Sequence, residues 1–158
     1  MDHFYAWLFN NLQLALFILA VILIIFHYVI RKHRTSGAEI IFQWMTLLPL
    51  GITLLFGAAM FLVYPEFTIA VMHYQMPPEL LYALGIANLA FGLLAVLAYG
   101  ARYGFRLASV VANTVWLWGC WFGGIYHMVM TSQVVVSSWM AVSILVPLIL
   151  IICLFRLK

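Results

Sequence analysis

The stretch IIFQWMTLLPLGITLLFGAAMFLVY, residues 40–64, decides the fold of this chain, because it contains no Asp, Glu, Lys or Arg. A helix of about 20 apolar residues is long enough to cross the hydrocarbon core of a bilayer. A second uncharged run extends from Leu107 to Phe155 and leaves room for two further crossings. Together the two runs predict a membrane protein.

The composition of the whole chain agrees with this interpretation. Of the 158 residues, 68% are hydrophobic and 7% are charged, whereas soluble domains are about 25% charged. Backbone N–H and C=O groups cannot stay unpaired in lipid, so the apolar runs must be helices. We therefore predict an all-α polytopic transmembrane helical bundle that forms a single domain over residues 1–158. Its five predicted spans cover about residues 8–30, 40–64, 80–99, 107–130 and 135–154.

The seven Lys and Arg residues predict the orientation of the bundle. With five spans, all seven fall on one side of the membrane, and Lys and Arg in short loops concentrate on the cytoplasmic side. We therefore expect the N-terminus outside and the C-terminus inside, as a multi-pass protein of the plasma (bacterial inner) membrane. The first predicted partner is the lipid bilayer. A nucleic-acid partner is not expected, because it would need a larger basic face presented to water.

Small residues on the third and fourth spans predict how helices pack. Gly85, Asn88 and Gly92 share one face of the third span, and Gly119 and Gly123 are four residues apart in the fourth. Small residues at such spacings allow close helix approach in lipid, and an Asn between them can add an interhelical hydrogen bond. These faces predict helix packing, either within the chain, in a homo-oligomer or against a membrane partner subunit.

The outer ends of the spans carry a candidate polar site. Glu79 and His127 are both 24 residues from Tyr103, the centre of the turn between the third and fourth spans, so they reach the same height and can form a pair. His73 and four methionines share this side: Met72, Met76, Met128 and Met130. Thioether and imidazole ligands suit copper, and two histidines can also approach a haem. The alternative interpretation is packing at the membrane surface, where Met is a flexible gap-filler.

These observations leave three hypotheses for the function. The spans contain no carboxylate and no Lys or Arg, which disfavours ion-coupled transport and intramembrane proteolysis. The leading hypothesis is a small integral membrane protein that acts by binding or assembly, as an oligomer or accessory subunit. The second is an outward-facing copper or haem binding protein. The third is a membrane enzyme that acts on a lipid or quinone, with Glu79 and His127 as acid and base.

The segment from about residue 77 to 127 resembles an uncharacterised family of small bacterial polytopic membrane proteins. The resembling stretches are LLYALGIANLAFGLLAVLAYG (80–100), FRLASVV (105–111) and GCWFGGIYHM (119–128). Within the first stretch, Gly85, Ala87, Asn88 and Leu89 match the family pattern G-x-A-N-L. An aromatic, a Gln and a Glu of the family are replaced upstream by Leu80, Leu81 and Ala83. The resemblance implies a bacterial inner-membrane helical protein and supplies no activity.

Overall fold

The structure, a computed structural model, describes residues 2–31, 36–72, 77–131 and 138–158, and every element in these ranges is helical. This confirms the predicted all-α class. In chain order, the elements are α1 (Asp2–Arg31), α2 (Gly37–Met45), a π-helix (Thr46–Ile52), α3 (Thr53–Val63), α4 (Pro65–Met72), α5 (Pro78–Ala98), α6 (Tyr103–Thr131) and α7 (Ser138–Leu157).

Four helical stretches among the described residues are long and apolar enough to cross a membrane: Asn11–Ile30, Gly37–Val63, Pro78–Ala98 and Met140–Leu157. They correspond to the first, second, third and fifth predicted spans. The fourth predicted span forms the 29-residue helix α6 but is not among the four. Its polar Asn113 and its glycine-rich stretch, residues 119–124, lower its mean hydropathy. The count of five spans and the orientation of the termini therefore stay predictions.

A π-helical segment interrupts the second stretch in the middle, where Pro49 lies among the residues 46–52. Proline has no backbone N–H, so the regular helical hydrogen-bond pattern cannot pass through it, and the wider π-turn accommodates the defect. Two side chains compensate for the disturbed backbone. The hydroxyl of Thr46 donates to the carbonyl of Phe42, and Gln13 Nε2 of α1 donates to the carbonyl of Pro49 at 3.4 Å.

The core of the bundle lies where α7 packs against α1, α2 and α6, with the π-helix and α5 closing it from the other side. Ala20, Phe42, Leu50, Ala95 and Val146 are completely or almost completely buried there. Lipid tails are as apolar as these side chains, so close packing and polar contacts must hold the helices together in a membrane.

The short helix α4 is attached to the end of α3 by one hydroxyl. Thr68 is fully buried, and its Oγ1 donates to the carbonyl oxygens of Met60 and Tyr64, both at 3.0 Å. Each of these carbonyls also accepts a backbone N–H, Met60 from Tyr64 and Tyr64 from Thr68. The side chain thus adds a second bond at the junction of the two helices and holds α4 against the end of α3.

Candidate functional site

The predicted outer site falls largely on side chains outside the described part of the chain. Glu79 lies in the first turn of α5 and is exposed. Met128 is half-buried near the end of α6, and Met130 is exposed two residues later. His73 and Met76, together with the side chains of Met72 and His127, lie outside the described residues. The Glu79–His127 pair, the copper or haem site and the enzyme hypothesis built on that pair therefore stay predictions.

Among the residues that the structure does describe, no three His, Cys, Asp or Glu side chains come together as a metal site. The described cations lie instead at the opposite end of the bundle. We call this the basic end, because it carries the described cations Arg102, Arg106, Arg156 and Lys158. Arg102 and Arg106 lie at the start of α6, and the other two lie at the end of α7.

A bidentate ion pair joins α2 to α6 at the basic end. Arg106 Nη1 donates to Glu39 Oε2 and Nη2 donates to Glu39 Oε1, both at 2.6 Å. The two side chains are only 11% and 22% exposed, respectively. Two parallel charge-assisted bonds of this geometry are stronger and more directional than a single one. Few other residues of α2 and α6 come close to one another, so this ion pair is the main direct contact between the two helices.

Further groups complete what we call the α2–α6 polar cluster. Gln43 Nε2 donates to Glu39 Oε1 at 3.1 Å, and Arg106 Nη2 also donates to the carbonyl of Tyr99 at 3.2 Å. The guanidinium lies 4.9 Å from the ring centre of Phe42, within the range of a cation–π contact. Glu39 stands in the first turn of α2, where the helix dipole favours a negative charge. Each charge is thus balanced by more than one neighbour.

The α2–α6 polar cluster was not predicted from the sequence, although a signal for it was present. Glu39 is the single acid on the side to which the seven cations were assigned, and it directly precedes the second predicted span. Arg106 directly precedes the fourth predicted span on the same side. One acid and one Arg that enter the membrane from the same side are natural partners, since neither is readily buried alone.

A second polar contact near the basic end joins α1 to α2. Trp44 Nε1 donates to His27 Nδ1 at 3.1 Å, and the two rings meet edge to face with centroids 6.2 Å apart. The bond helps to hold α1, whose apolar side chains are mostly exposed, against α2.

Asn88 forms the corresponding contact between α5 and α6. Trp116 Nε1 donates to Asn88 Oδ1 at 3.1 Å, and the indole stacks on Phe91 with ring centroids 5.0 Å apart. Ser109 Oγ, two turns nearer the basic end, donates to the carbonyl of Leu94 at 3.0 Å. The basic half of α6 is therefore tied to α5 by two hydrogen bonds in addition to the turn that joins them.

The glycines of the predicted packing faces have different surroundings. A Cβ on Gly85 would lie 2.7 Å from Leu62, and one on Gly92 would lie 3.0 Å from the backbone nitrogen of Leu55. Both glycines thus face α3, and not the fourth predicted span. Gly119 and Gly123 are exposed, and a Cβ on either would have no neighbour within 4 Å. Their helix-packing role stays a prediction about contacts outside this chain.

Comparison with known proteins places the chain in a family without assigning a function. Residues 10–158 match a family described as a family of unknown function, DUF6790. No curated protein and no solved structure matches the chain. The predicted resemblance is confirmed to the extent that the chain matches a family of unknown function, and the match extends well beyond the predicted residues 77–127. This chain belongs to the DUF6790 family of unknown function.

Proposed function

We propose that this chain is a multi-pass inner-membrane protein of five spans that acts by binding or assembly, as an oligomer or as an accessory subunit of a membrane complex. The four apolar stretches support its membrane location. At about 1.5 Å per residue, the 29 residues of α6 extend over roughly 43 Å, more than the 30 Å of a hydrocarbon core. The described cations at one end of the bundle favour an N-terminus outside and a C-terminus inside.

The observation that carries the proposal is the open face of α6. From Val115 onward, exposed residues recur every three or four positions along one side of the helix. We call this side the α6 stripe; its residues are Val115, Gly119, Phe122, Gly123, Tyr126, Val129 and Met130. The apolar side chains of the stripe are all more than 60% exposed.

The two glycines make this stripe suited to a helix partner rather than to lipid alone. In α5, the glycines are covered by side chains of α3, so the same chain shows how its glycine faces are used. In α6, the spacing is the same as in small-xxx-small motifs, but nothing within the chain fills the space. A helix of a second copy or of a partner subunit could approach there closely.

The experiment is a measurement of oligomeric state in mild detergent and in nanodiscs, by native mass spectrometry and by light scattering. The test variant is Gly119→Leu/Gly123→Leu, whose side chains enter open space and leave the single chain intact. The matched control is Gly104→Leu, another open glycine of α6 that lies outside the stripe. We expect an assembly for the wild type and the control, and a monomer for the double variant. A wild type that is monomeric and has no copurifying subunit would contradict the proposal.

Membrane topology is tested separately. Reporters that are active only in the cytoplasm, or only outside it, are fused to each end of the chain. We expect cytoplasmic activity at the C-terminus and external activity at the N-terminus. Both termini on one side would exclude an odd number of spans.

A further inference from the structure

An apolar cleft opens on the surface between α6 and α7, halfway along both helices. It has a volume of about 230 Å³ and is lined by Trp118, Trp121, Phe122, Ile144 and Leu148. Every one of these side chains is apolar or aromatic, so the cleft offers shape and contact area for a hydrocarbon segment. It carries no charged group that would hold a polar substrate.

A row of exposed side chains leads from this cleft to the basic end. On α7, Leu148, Ile152 and Phe155 recur at intervals of four and three residues, so they lie on one face of the helix. Phe155 is 77% exposed and Ile152 is 61% exposed. Arg156 follows directly and is also exposed.

The distance along this row fits one phospholipid chain. Leu148 is eight residues from Arg156, which corresponds to about 12 Å along the helix at 1.5 Å per residue. One leaflet of a bilayer contributes roughly 15 Å of hydrocarbon, half of the 30 Å core. A lipid with its headgroup beside Arg156 would therefore place the end of an acyl chain at the cleft.

One cation at this end is free to meet a phosphate. Glu39, the acid of the basic end, is engaged by both terminal nitrogens of Arg106. Arg156 is exposed, and among the described residues it has no acidic partner. Arg102 lies 16 residues before Trp118, about 24 Å along α6, which is too far from the cleft for the same lipid.

We propose that the seam between α6 and α7 is a binding site for one anionic phospholipid, with its phosphate at Arg156 and an acyl chain in the Trp118–Leu148 cleft. The site rests on the membrane location in the proposed function, but it does not depend on assembly through the α6 stripe. The exposed row of Ile152 and Phe155 favours a lipid over a free anion, because a soluble anion would gain nothing from it.

The test measures which lipid stays bound. The protein is equilibrated in mixed micelles with equal amounts of phosphatidylglycerol and phosphatidylcholine, and the retained lipids are counted by native mass spectrometry. We expect the wild type to retain phosphatidylglycerol in preference. In Arg156→Gln, the preference should fall about fivefold, the loss expected for one charge. Glu79→Gln, which changes one exposed charge at the other end of the bundle, should retain lipid as the wild type does.

The cleft is tested by a second pair of variants. Leu148→Trp fills the cleft and should lower the retention of both lipids, whereas Leu145→Trp changes an exposed residue of α7 that does not line it. Equal retention of the two lipids by the wild type, or unchanged retention in Leu148→Trp, would overturn the proposal. Competition by inorganic phosphate at the concentration of the lipid would overturn it as well. The same spectra report the oligomeric state, so a monomer that retains phosphatidylglycerol refutes assembly and leaves the lipid site standing.

Discussion

Replacing Arg106 by Gln removes the guanidinium that connects α2 to α6 and leaves Glu39 with one hydrogen bond, from Gln43. Breaking a buried ion pair by removing one partner costs about 3–5 kcal/mol, because the other charge stays buried without compensation. The two side chains are 11% and 22% exposed, which places them near the lower half of this range. We therefore expect Arg106→Gln to lower the free energy of unfolding by about 3–4 kcal/mol.

The partner variant and the double variant complete a thermodynamic cycle. Glu39→Gln leaves a carboxamide oxygen that still accepts one bond from Arg106, so its expected cost is about 2–3 kcal/mol. The double variant buries two neutral amides in place of two charges and should cost no more than Arg106→Gln alone. The coupling energy is then about 2–3 kcal/mol, in the range measured for residues in direct contact.

The assay is reversible unfolding in mixed micelles titrated with SDS, followed by tryptophan fluorescence and circular dichroism. Arg102→Gln is the control, because it removes an exposed cation of the same end and should change stability by less than about 0.5 kcal/mol. A coupling energy below about 0.5 kcal/mol is typical of solvent-exposed pairs. Such a result would refute the conclusion that this pair holds the two helices together.

Three further predictions use the same assay. Gly92→Ala should destabilise the chain by about 1–3 kcal/mol, because the added methyl group meets the backbone of α3. Gly119→Ala should be neutral or stabilise the chain by up to about 1 kcal/mol, because its methyl group enters open space. Equal effects of the two changes would contradict the difference between the two glycine faces. Trp116→Phe keeps the stack but removes the bond to Asn88, so we expect a loss of about 1 kcal/mol, and no loss at all would show that the bond contributes nothing. Thr68→Val removes the hydroxyl that binds the end of α3, and we expect about 1–2 kcal/mol of destabilisation together with easier proteolysis within α4; unchanged proteolysis would mean that packing alone holds α4.

Composition and uncharged length were sufficient to predict the helical class and four of the apolar stretches, because lipid permits few other structures. The π-helix was harder to predict from the sequence. Pro49 predicts a defect in the second stretch. Whether the helix kinks there or widens into a π-helix depends on contacts with groups such as Gln13 of α1, and sequence spacing does not predict those contacts.

Contacts between helices were harder to predict than the helices themselves. The sequence indicates how deep each residue lies in the membrane, but it does not indicate how each helix is rotated about its own axis. The spacing of Gly85 and Gly92 predicts a packing face but not the helix that meets it, and in the structure both glycines face α3. Asn88 lies between these glycines in sequence, yet it accepts a bond from Trp116 of α6. One face of a helix can thus serve two neighbours, and only their positions decide which side chain meets which.

In helix α6, the side chains that bond to other helices lie apart from those of the proposed binding surfaces. In its first half, Arg106, Ser109 and Trp116 each form a hydrogen bond to another helix or to the turn before α6. From Leu117 onward, no described side chain of α6 forms such a bond, and one side of the helix is exposed. Apolar contact gives little preference for a neighbouring helix over lipid, so polar contacts hold the first half of α6, and the described side chains of its second half make no such contact with another helix. The second half can therefore accept a partner helix or an acyl chain without breaking any bond that the fold requires, which is why both proposed binding surfaces lie there and not at the tightly bonded cluster around Arg106.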